Sequence, residues 1–272
     1  MPNRAIRWPR AIISGSRSGR PLRERFIGIA QRSVSTLPAL ARRVLPSPCA
    51  LCGNMSHRTL CSFCDEAWWN ETRLRCIVCA MPLSGFRRAS LMQYRCSDCV
   101  AAPPAFDATV ALADYRAPLD ALAVGLKFRA RLALAHEFAR RLAWSALDML
   151  DEREHPDVVA PVPLSARRLV ERGYNQAWEI ARPCAKALGV RSDATLMRRV
   201  LHTAPQSKLD LDARRQNVGR AFVVAKPVQG LHVAVVDDVM TTGATLDALA
   251  HMLKAAGARR VTNLVALRTP KN

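Results

Sequence analysis

The sequence predicts an α/β domain with a mostly parallel sheet flanked by helices, preceded by a small cysteine-rich module. Three observations support this fold class. From residue 105 onward, strand and helix patterns alternate along the chain, as they do in α/β proteins. Several strand segments are short runs of valine and alanine without polar alternation, which is typical of strands buried on both faces. Ahead of them, four Cys-x-x-Cys pairs lie between residues 49 and 99.

The composition suits one medium-sized domain and a small accessory module. The chain has 272 residues, half of them apolar, so it can bury a sizeable core. No apolar run approaches the roughly 18 residues that a membrane-spanning helix needs, and we expect no membrane span. The net charge of +19 suits binding to polyanions such as nucleotides, diphosphate or nucleic acid, although an Arg-rich tail kept for solubility gives the same charge.

The N-terminal segment carries much of that charge. Before the first cysteine stand 10 basic residues and one acidic residue, in a stretch rich in serine and broken by proline and glycine. It lacks the apolar region of a secretory signal, resembles an organellar transit peptide only loosely, and could be an over-extended start of translation. We expect residues 1–34 to be a basic disordered arm. Residues 35–44 are expected to form a short helix that opens a module over residues 35–100.

The cysteine pairs predict metal binding. A Cys-x-x-Cys turn directs two thiolates at one tetrahedral ion, and two such turns complete a closed site that is structural and not catalytic. Four turns allow one or two Zn²⁺ ions, with sequential pairing favoured over a crossed one; a redox dithiol is the alternative interpretation. His57 could substitute as a ligand, but a lone exposed histidine is the favoured interpretation. Cys184 stands alone in a helical stretch and is expected in the core. The predicted ligands are Cys49, Cys52, Cys61, Cys64, Cys76, Cys79, Cys96 and Cys99.

The domain over residues 105–272 is expected to begin with a strand whose residues alternate between apolar and polar. Its helices show apolar residues at steps of three and four, and its later strands are short apolar runs. Gly257 is expected to end the helix before the last strand. In chain order we expect a strand over residues 106–115, helices over 117–129 and 132–150, a strand over 158–163, a helix over 169–188, strands over 221–225 and 233–236, a helix over 243–256 and a strand over 261–267.

Residues 232–246 are the most informative stretch. Four apolar residues, 233–236, predict a buried strand that delivers Asp237 and Asp238 to its carboxyl end, where ligands of open α/β sheets bind. Residues 241–245, Thr-Thr-Gly-Ala-Thr, then turn into a helix, and their small side chains, free N–H groups and hydroxyls favour an anion. Two acids followed by such a loop predict a sugar phosphate ligand. An Asp-Asp pair alone also suits a Mg²⁺ site or a solvated strand end, and the loop matches neither GxxxxGK[ST] nor GxGxxG.

The segment VVDDVMTTGAT resembles the phosphoribosyl diphosphate (PRPP) motif of type I phosphoribosyltransferases. Residues 161–176, with PVPLSARR and RGYNQ, look like the PVPL…RGxNQ motif of the ComF family (competence protein F, also GntX), and residues 126–128 look like its LKF motif. The cysteine module resembles that family's double zinc ribbon, and the resemblance runs from about residue 35 to the C-terminus. Ser165 and Tyr174 depart from the residues that the family often has at these positions. A segment similar to the family's mobile loop contains Gln206, Arg214 and Asn217.

The resemblance implies a type I phosphoribosyltransferase-like sheet behind a double zinc ribbon, and it implies roles for individual residues. Asp237 and Asp238 would be the catalytic residues that hold the ribose hydroxyls. The loop for the 5′-phosphate of PRPP would consist of Thr241, Thr242, Gly243, Ala244 and Thr245. The diphosphate side would be formed by Pro163, Leu164, Ser165, Arg167, Arg168 and Arg172, although a solvated helix face is the alternative interpretation of the three arginines.

The implied function is Mg²⁺-dependent transfer of the phosphoribosyl group from PRPP with release of diphosphate. The implied setting is the bacterial cytoplasm, with a link to DNA uptake and natural transformation. No acceptor-binding hood is recognisable in the sequence, so the residues themselves do not decide whether the protein is an enzyme. The alternative is a non-catalytic protein that binds PRPP or a nucleotide and handles single-stranded DNA through its zinc ribbon and basic surface. Proteins of the competence machinery are further expected partners.

Overall fold

The computed structural model describes five stretches of the chain, which divides into two compact units, Met1–Pro46 and Ser47–Asn272. Nearly all described residues belong to the second unit. The expected arm and the helix over residues 35–44 lie outside the described residues. The described stretches are residues 45–69, 73–86, 94–150, 154–200 and 221–271.

A five-stranded parallel sheet forms the centre of the second unit. The strands of this sheet are β5 (Ala108–Asp114), β6 (Val158–Pro161), β7 (Arg191–Ser192), β10 (His232–Met240) and β11 (Arg260–Arg268). Their order in the sheet is β5–β11–β10–β6–β7, and every neighbouring pair runs parallel. The strands β10 and β11 are apolar along most of their length, as strands covered on both faces require.

Helices cover both faces of this sheet. Ala234 and Val236 of β10 pack into one core, while Val233 and Val235 point into a second core on the other face. The helices of the domain are α3 (Asp120–Phe128), α4 (Ala133–Met149), α5 (Ala166–Arg172), α6 (Gln176–Leu188) and α7 (Ala244–Ala255). The first core includes α3, α4 and α6, and the second includes α7. The predicted α/β fold class, with a mostly parallel sheet flanked by helices, is confirmed.

A separate antiparallel pair stands beside the sheet. It joins β8 (Met197–Arg199) to β9 (Phe222–Val224), with Arg199 opposite Phe222. Val200 donates a backbone hydrogen bond to the carbonyl of Ala221, so the end of β8 lies next to the start of β9. The strand expected over residues 221–225 therefore exists, but it pairs outside the parallel sheet.

The cysteine module consists of short elements wrapped around two cysteine clusters. They are β1 (Ser47–Pro48), β2 (Met55–Ser56), α1 (Ser62–Trp69), β3 (Arg73–Arg75), β4 (Pro82–Phe86) and α2 (Ser97–Ala101). Cys64 and Leu60 pack into the first core, whereas Cys76 and Cys99 pack into the second. The module thus shares both cores of the α/β domain. Trp69 packs edge-on against Phe138 of α4.

Two expected elements differ from the structure for physical reasons. The helix expected over residues 169–188 is two helices, because Gly173 adopts a left-handed conformation (φ 76°) that ends α5. The strand expected over residues 233–236 runs on to Met240, because β11 continues to pair with it beyond the end of β6. Within the described ranges, every helix is too short or too polar to cross a membrane.

Candidate functional site

The two acids lie where the central strand runs past its neighbour. β6 pairs with β10 as far as Pro161 and Val236, and the chain then turns away as Val162 donates to the carbonyl of Val236. Asp237 and Asp238 follow directly, still held by β11 on the other side. They therefore lie inside the strand and not after it, but they are beyond the end of β6, at the carboxyl edge of the sheet.

The acid pair is largely buried, and its two carboxyl groups lie close enough to affect each other's charge. Asp238 is 3% exposed, its N–H donates to Oδ1 of Asp237 (2.9 Å), and its Oδ2 has no hydrogen-bond partner among the described residues. Burial and the neighbouring charge of Asp238 raise the pKa of Asp237 well above its usual range, while the positive charge of Lys127 acts in the opposite direction. A buried carboxylate oxygen without a partner is costly, so a hydroxyl donor or a cation at this point would be favourable.

The loop after the acids opens α7 through a single glycine. Gly243 has φ 86°, and a Cβ there would lie 2.6 Å from Cε of Met240, so glycine is the residue that fits. Thr241, Thr242 and Ala244 are exposed, and the hydroxyl of Thr242 accepts from the N–H of Ala244 (3.3 Å). The loop thus presents backbone and hydroxyl groups to solvent at the start of a twelve-residue helix, where partial positive charge favours an anion.

The loop after β6 lies at the same edge, because β6 is the neighbour of β10 in the sheet. Pro163 is buried and Leu164 half-buried. Ser165 is the N-cap of α5: its hydroxyl accepts from the N–H of Arg168 (3.3 Å), which gives this departure from the family pattern a local structural role.

The three arginines expected on the diphosphate side differ in their surroundings. Arg167 is exposed and pairs with Glu171 one turn along α5 (2.7 Å), as a solvated helix face would have it. Arg172 donates to Gln176 (3.0 Å) and stacks over the ring of Phe128. Arg168 is exposed, and its positive charge adds to burial in lowering the pKa of Arg199. Two like charges close together suit an anion between them.

The RGYNQ segment connects these parts. Gly173 closes α5, and Asn175 caps α6 by accepting from the N–H of Ala177 (3.0 Å) while donating to the carbonyl of Val162 (3.0 Å). The hydroxyl of Tyr174 donates to the carbonyl of Leu126 in α3. These contacts hold the loop after β6 against two helices. They explain why Gly and Asn occur at these spacings.

A cavity of about 600 Å³ opens beside the loop after β6. Its wall is formed by that loop, α5, the start of α6 and β8, and includes the indole of Trp178. Its lining includes apolar side chains such as Leu169 and cationic side chains such as Arg198. Its size is that of an ordinary small-molecule site.

Three expected site residues belong to a segment that the structure does not describe. Gln206, Arg214 and Asn217 lie outside the described residues. Lys127, whose charge acts on Asp237, was not among the expected site residues. The LKF resemblance was the available signal for it.

The eight paired cysteines form two clusters in sequential order. In each, one ligand atom per cysteine lies within 4.8 Å of all the others; the clusters are Cys49, Cys52, Cys61, Cys64 and Cys76, Cys79, Cys96, Cys99. Sulfurs of different turns approach to 3.7 Å (Cys52 and Cys61) and 3.6 Å (Cys79 and Cys96). A Zn–S bond of about 2.3 Å in a tetrahedron places sulfurs about 3.8 Å apart. The donor set and its spacing therefore fit zinc, and His57 belongs to neither cluster.

Each cluster holds one cysteine whose surroundings favour the thiolate. Burial raises the pKa of Cys49, but hydrogen bonds from backbone N–H groups, including that of Cys61, outweigh it and lower the pKa to about 6. A hydrogen bond from the thiol of Cys79 lowers the pKa of Cys76 to about 4. In contrast, Cys184 is fully buried, and burial raises its pKa to about 12, as expected for a core thiol.

Comparisons with known proteins found relatives that extend over most of the chain. No protein-family model matches the chain. The chain is similar to the DNA utilization protein YhgH of Salmonella typhimurium, with 36% identity over 222 residues, which is 80% of this chain and 95% of that one. It is also similar to competence protein F of Haemophilus influenzae, with 30% identity over 211 residues, 74% of this chain and 87% of the other. Among solved structures, a glutamine PRPP amidotransferase from B. subtilis is 21% identical, with a TM-score of 0.34 over 47% of this chain and 25% of that chain.

The similarity to these two relatives extends over most of this chain and over most of their own length. Together with the parallel sheet and the two four-cysteine clusters, it confirms the fold class that the sequence motifs imply. The chain therefore belongs to the family of competence protein F and the DNA utilization protein YhgH.

Proposed function

We propose that the protein binds PRPP with Mg²⁺ and transfers its phosphoribosyl group to an acceptor, releasing diphosphate. The observation that carries the proposal is the acid pair of β10, with an unpartnered Oδ2 on Asp238, followed within five residues by the glycine-hinged loop that opens α7. Carboxylates suit ribose hydroxyls, and exposed amides at a helix start suit the 5′-phosphate. Both lie at the carboxyl edge of the sheet beside the loop after β6.

In this proposal Asp237 and Asp238 orient the ribose, and Thr241 to Thr245 hold the 5′-phosphate. A nitrogen of the acceptor forms a bond to the anomeric carbon as the bond from that carbon to diphosphate breaks. The electron pair leaves with diphosphate, and the proton of the acceptor passes to water. Mg²⁺, when bound with PRPP, offsets the charge of the leaving diphosphate. The loop from Pro163 to Arg168, with Arg172, would receive the diphosphate.

The test is a calorimetric titration of PRPP with Mg²⁺, run beside a diphosphate-release assay over a panel of nucleobases. Binding with release is the expected result, and the base that supports release identifies the acceptor. Binding without release from any base would remove the transferase activity and leave a ligand-binding protein. Absence of binding would contradict the proposal.

A second function has its own support. The relatives are named for DNA utilization and competence, and the net charge is +19. We infer that the alternative role is the handling of single-stranded DNA, in contact with other proteins of DNA uptake, by the basic residues 1–34 and the cysteine module over residues 35–100. Deleting residues 1–30 should then lower DNA affinity and flatten its salt dependence, since each lost phosphate contact removes about 0.7 from the slope. Unchanged DNA binding would eliminate the arm from this role.

None of the nine cysteines, all of which lie within the described residues, forms a disulfide, which suits a reducing compartment. We propose the bacterial cytoplasm as the location. Fractionation of cells that express the full chain would test it, with recovery outside the cytoplasmic fraction as the contrary result.

A further inference from the structure

One buried guanidinium joins the second cysteine cluster to the loop that opens α7. Arg268 ends β11 and is 3% exposed. Its Nε donates to the carbonyl of Cys79 in the second cluster (2.9 Å). Its Nη1 donates to the carbonyls of Met240 (3.1 Å), Thr241 and Thr269 (2.7 Å). A single side chain thus holds a metal-ligand turn at one end and the entry to the loop at the other.

These contacts determine which way the loop amides face. In a planar trans peptide the C=O and the following N–H point in opposite directions. The carbonyls of Met240 and Thr241 point inward to Arg268, so the N–H groups of Thr241 and Thr242 point outward. Thr241 and Thr242 are both exposed. The carbonyl of Met240 also accepts from the N–H of Thr269 (2.9 Å), so the sheet shares with Arg268 in holding the first of these two peptides. Arg268 therefore helps to turn both N–H groups toward the side on which a phosphate would bind, through its contact with the carbonyl of Thr241 above all.

With zinc bound, the second cluster would supply negative charge beside this buried guanidinium. Four thiolates around one Zn²⁺ carry a net charge of about −2, and the turn containing Cys79 accepts from two arginines. Arg268 donates a hydrogen bond to the carbonyl of Cys79, and Arg75 donates one to the carbonyl of Ala80 (3.0 Å). Arg75 also forms an ion pair with the buried Asp114 (2.8 Å). Asp114, in turn, stands directly opposite Arg268 in the sheet register. The second cluster, the two arginines and the strand ends thus form one connected unit.

We propose that Arg268 is a positioning residue that couples metal occupancy of the second cysteine cluster to the anion affinity of the loop from Thr241 to Thr245. The ligand part of this inference rests on the proposed function, since it takes the loop to bind a phosphate. The geometric part does not, because the orientation of the loop amides is a property of the free protein.

The first experiment measures hydrogen exchange of the amides of residues 241–245 in two matched variants of the full chain. Cys99→Ser removes the last ligand of the second cluster, and Cys64→Ser removes the corresponding ligand of the first. We expect Cys99→Ser to speed exchange of these amides about tenfold, as the loss of one charged hydrogen bond would. Cys64→Ser should change it by less than about twofold. Equal exchange in the two variants would overturn the coupling.

Arg268→Lys tests the link without touching the metal. Lysine keeps the charge but lacks the planar fork that reaches Cys79 and Thr241 at once. Arg260→Lys is the matched control, because Arg260 begins the same strand and pairs with Glu154 at the opposite end of the sheet. We expect Arg268→Lys to keep two zinc ions and cooperative unfolding, yet to show the faster loop exchange. Loop exchange at the wild-type rate in this variant would overturn the role of Arg268.

A ligand measurement separates this inference from the proposed function. Ribose 5-phosphate should bind about tenfold more weakly to Arg268→Lys than to the wild type or to Arg260→Lys. By reciprocity, it should raise the affinity of the wild type for one of the two zinc ions, measured at equilibrium in competition with a chelator. If the wild type does not bind ribose 5-phosphate while Cys99→Ser still loosens the loop, the positioning role stands and the proposed function fails. Binding that is unchanged in Arg268→Lys would overturn the coupling alone.

Discussion

Replacing Gly243 by alanine should destabilise the protein more than the same replacement at Gly230. Both glycines have left-handed backbones, with φ 86° at Gly243 and φ 68° at Gly230. They differ in what a new methyl group meets. At Gly230 there is nothing within 4 Å, whereas at Gly243 the Cβ would lie 2.6 Å from Cε of Met240, which is 2% exposed.

The magnitude follows from these two differences. A left-handed backbone costs an alanine about 1–2 kcal/mol, and the loss of freedom in the unfolded chain returns about 0.4–1 kcal/mol. Both variants share these contributions, so each should lose roughly 1 kcal/mol from them. Only Gly243→Ala must also move the buried Met240 side chain off its rotamer, at about 0.5–1.5 kcal/mol. We therefore expect a total near 2 kcal/mol at Gly243, against about 1 kcal/mol at Gly230.

The assay is urea unfolding of the two variants and the wild type, followed by circular dichroism with zinc and reductant present. A midpoint for Gly243→Ala below that of Gly230→Ala, at an unchanged slope, is the expected result. If Gly243→Ala is as stable as Gly230→Ala or more so, the close packing inferred between the loop and Met240 is wrong.

Three further predictions concern the cysteines and the pH dependence of stability. Elemental analysis should find two zinc ions per chain. The double variant Cys49→Ser with Cys64→Ser should lose one ion, and the double variant Cys49→Ser with Cys76→Ser should lose both. If the first and third turns shared one ion, the variant with Cys49→Ser and Cys76→Ser would keep one ion. Burial lowers the pKa of His232 to about 4, so its contribution to the free energy of unfolding should be complete above pH 6.5 and decrease by up to about 3 kcal/mol toward pH 4. His232→Gln should flatten this pH dependence in urea titrations, and an unchanged pH dependence would contradict the prediction. Cys184 should resist alkylation in the native protein even after chelation of zinc exposes the other eight thiols, and early labelling of it by mass spectrometry would be the contrary result.

The sequence predicted the elements whose structure depends on residues adjacent in the chain. The valine run of β10 and the small residues after it predicted a buried strand, a tight loop and a helix, because these depend on side chains adjacent in the chain. The pairing of β8 with β9 and the short β7 were not predicted. β7 and β8 have only two or three residues, which carry too little pattern, and the pairing of β8 with the expected strand β9 depends on a partner elsewhere in the chain.

The same division applies to the candidate site. Asp237, Asp238 and the loop were predicted together because they are consecutive. The contribution of Lys127 to the charge on Asp237, and that of Arg268 to the loop, arise from distant segments that the sheet brings to one edge. Ser165, which departs from the residue that the family often has at this position, caps α5. The spacing could have indicated this role, because an N-cap hydroxyl commonly accepts from the backbone N–H three residues later, which here belongs to Arg168.

The most direct test of the account is the affinity for PRPP with Mg²⁺ of the variant that combines Asp237→Asn and Asp238→Asn. The matched control is Asp157→Asn, whose carboxylate accepts from the N–H of His232 at the opposite end of the same strand. We predict one binding site in the wild type and in the control, and affinity at least about 100-fold weaker in the double variant, since two charged hydrogen bonds are lost. PRPP binding that survives the double change unaltered would contradict the assignment of the site.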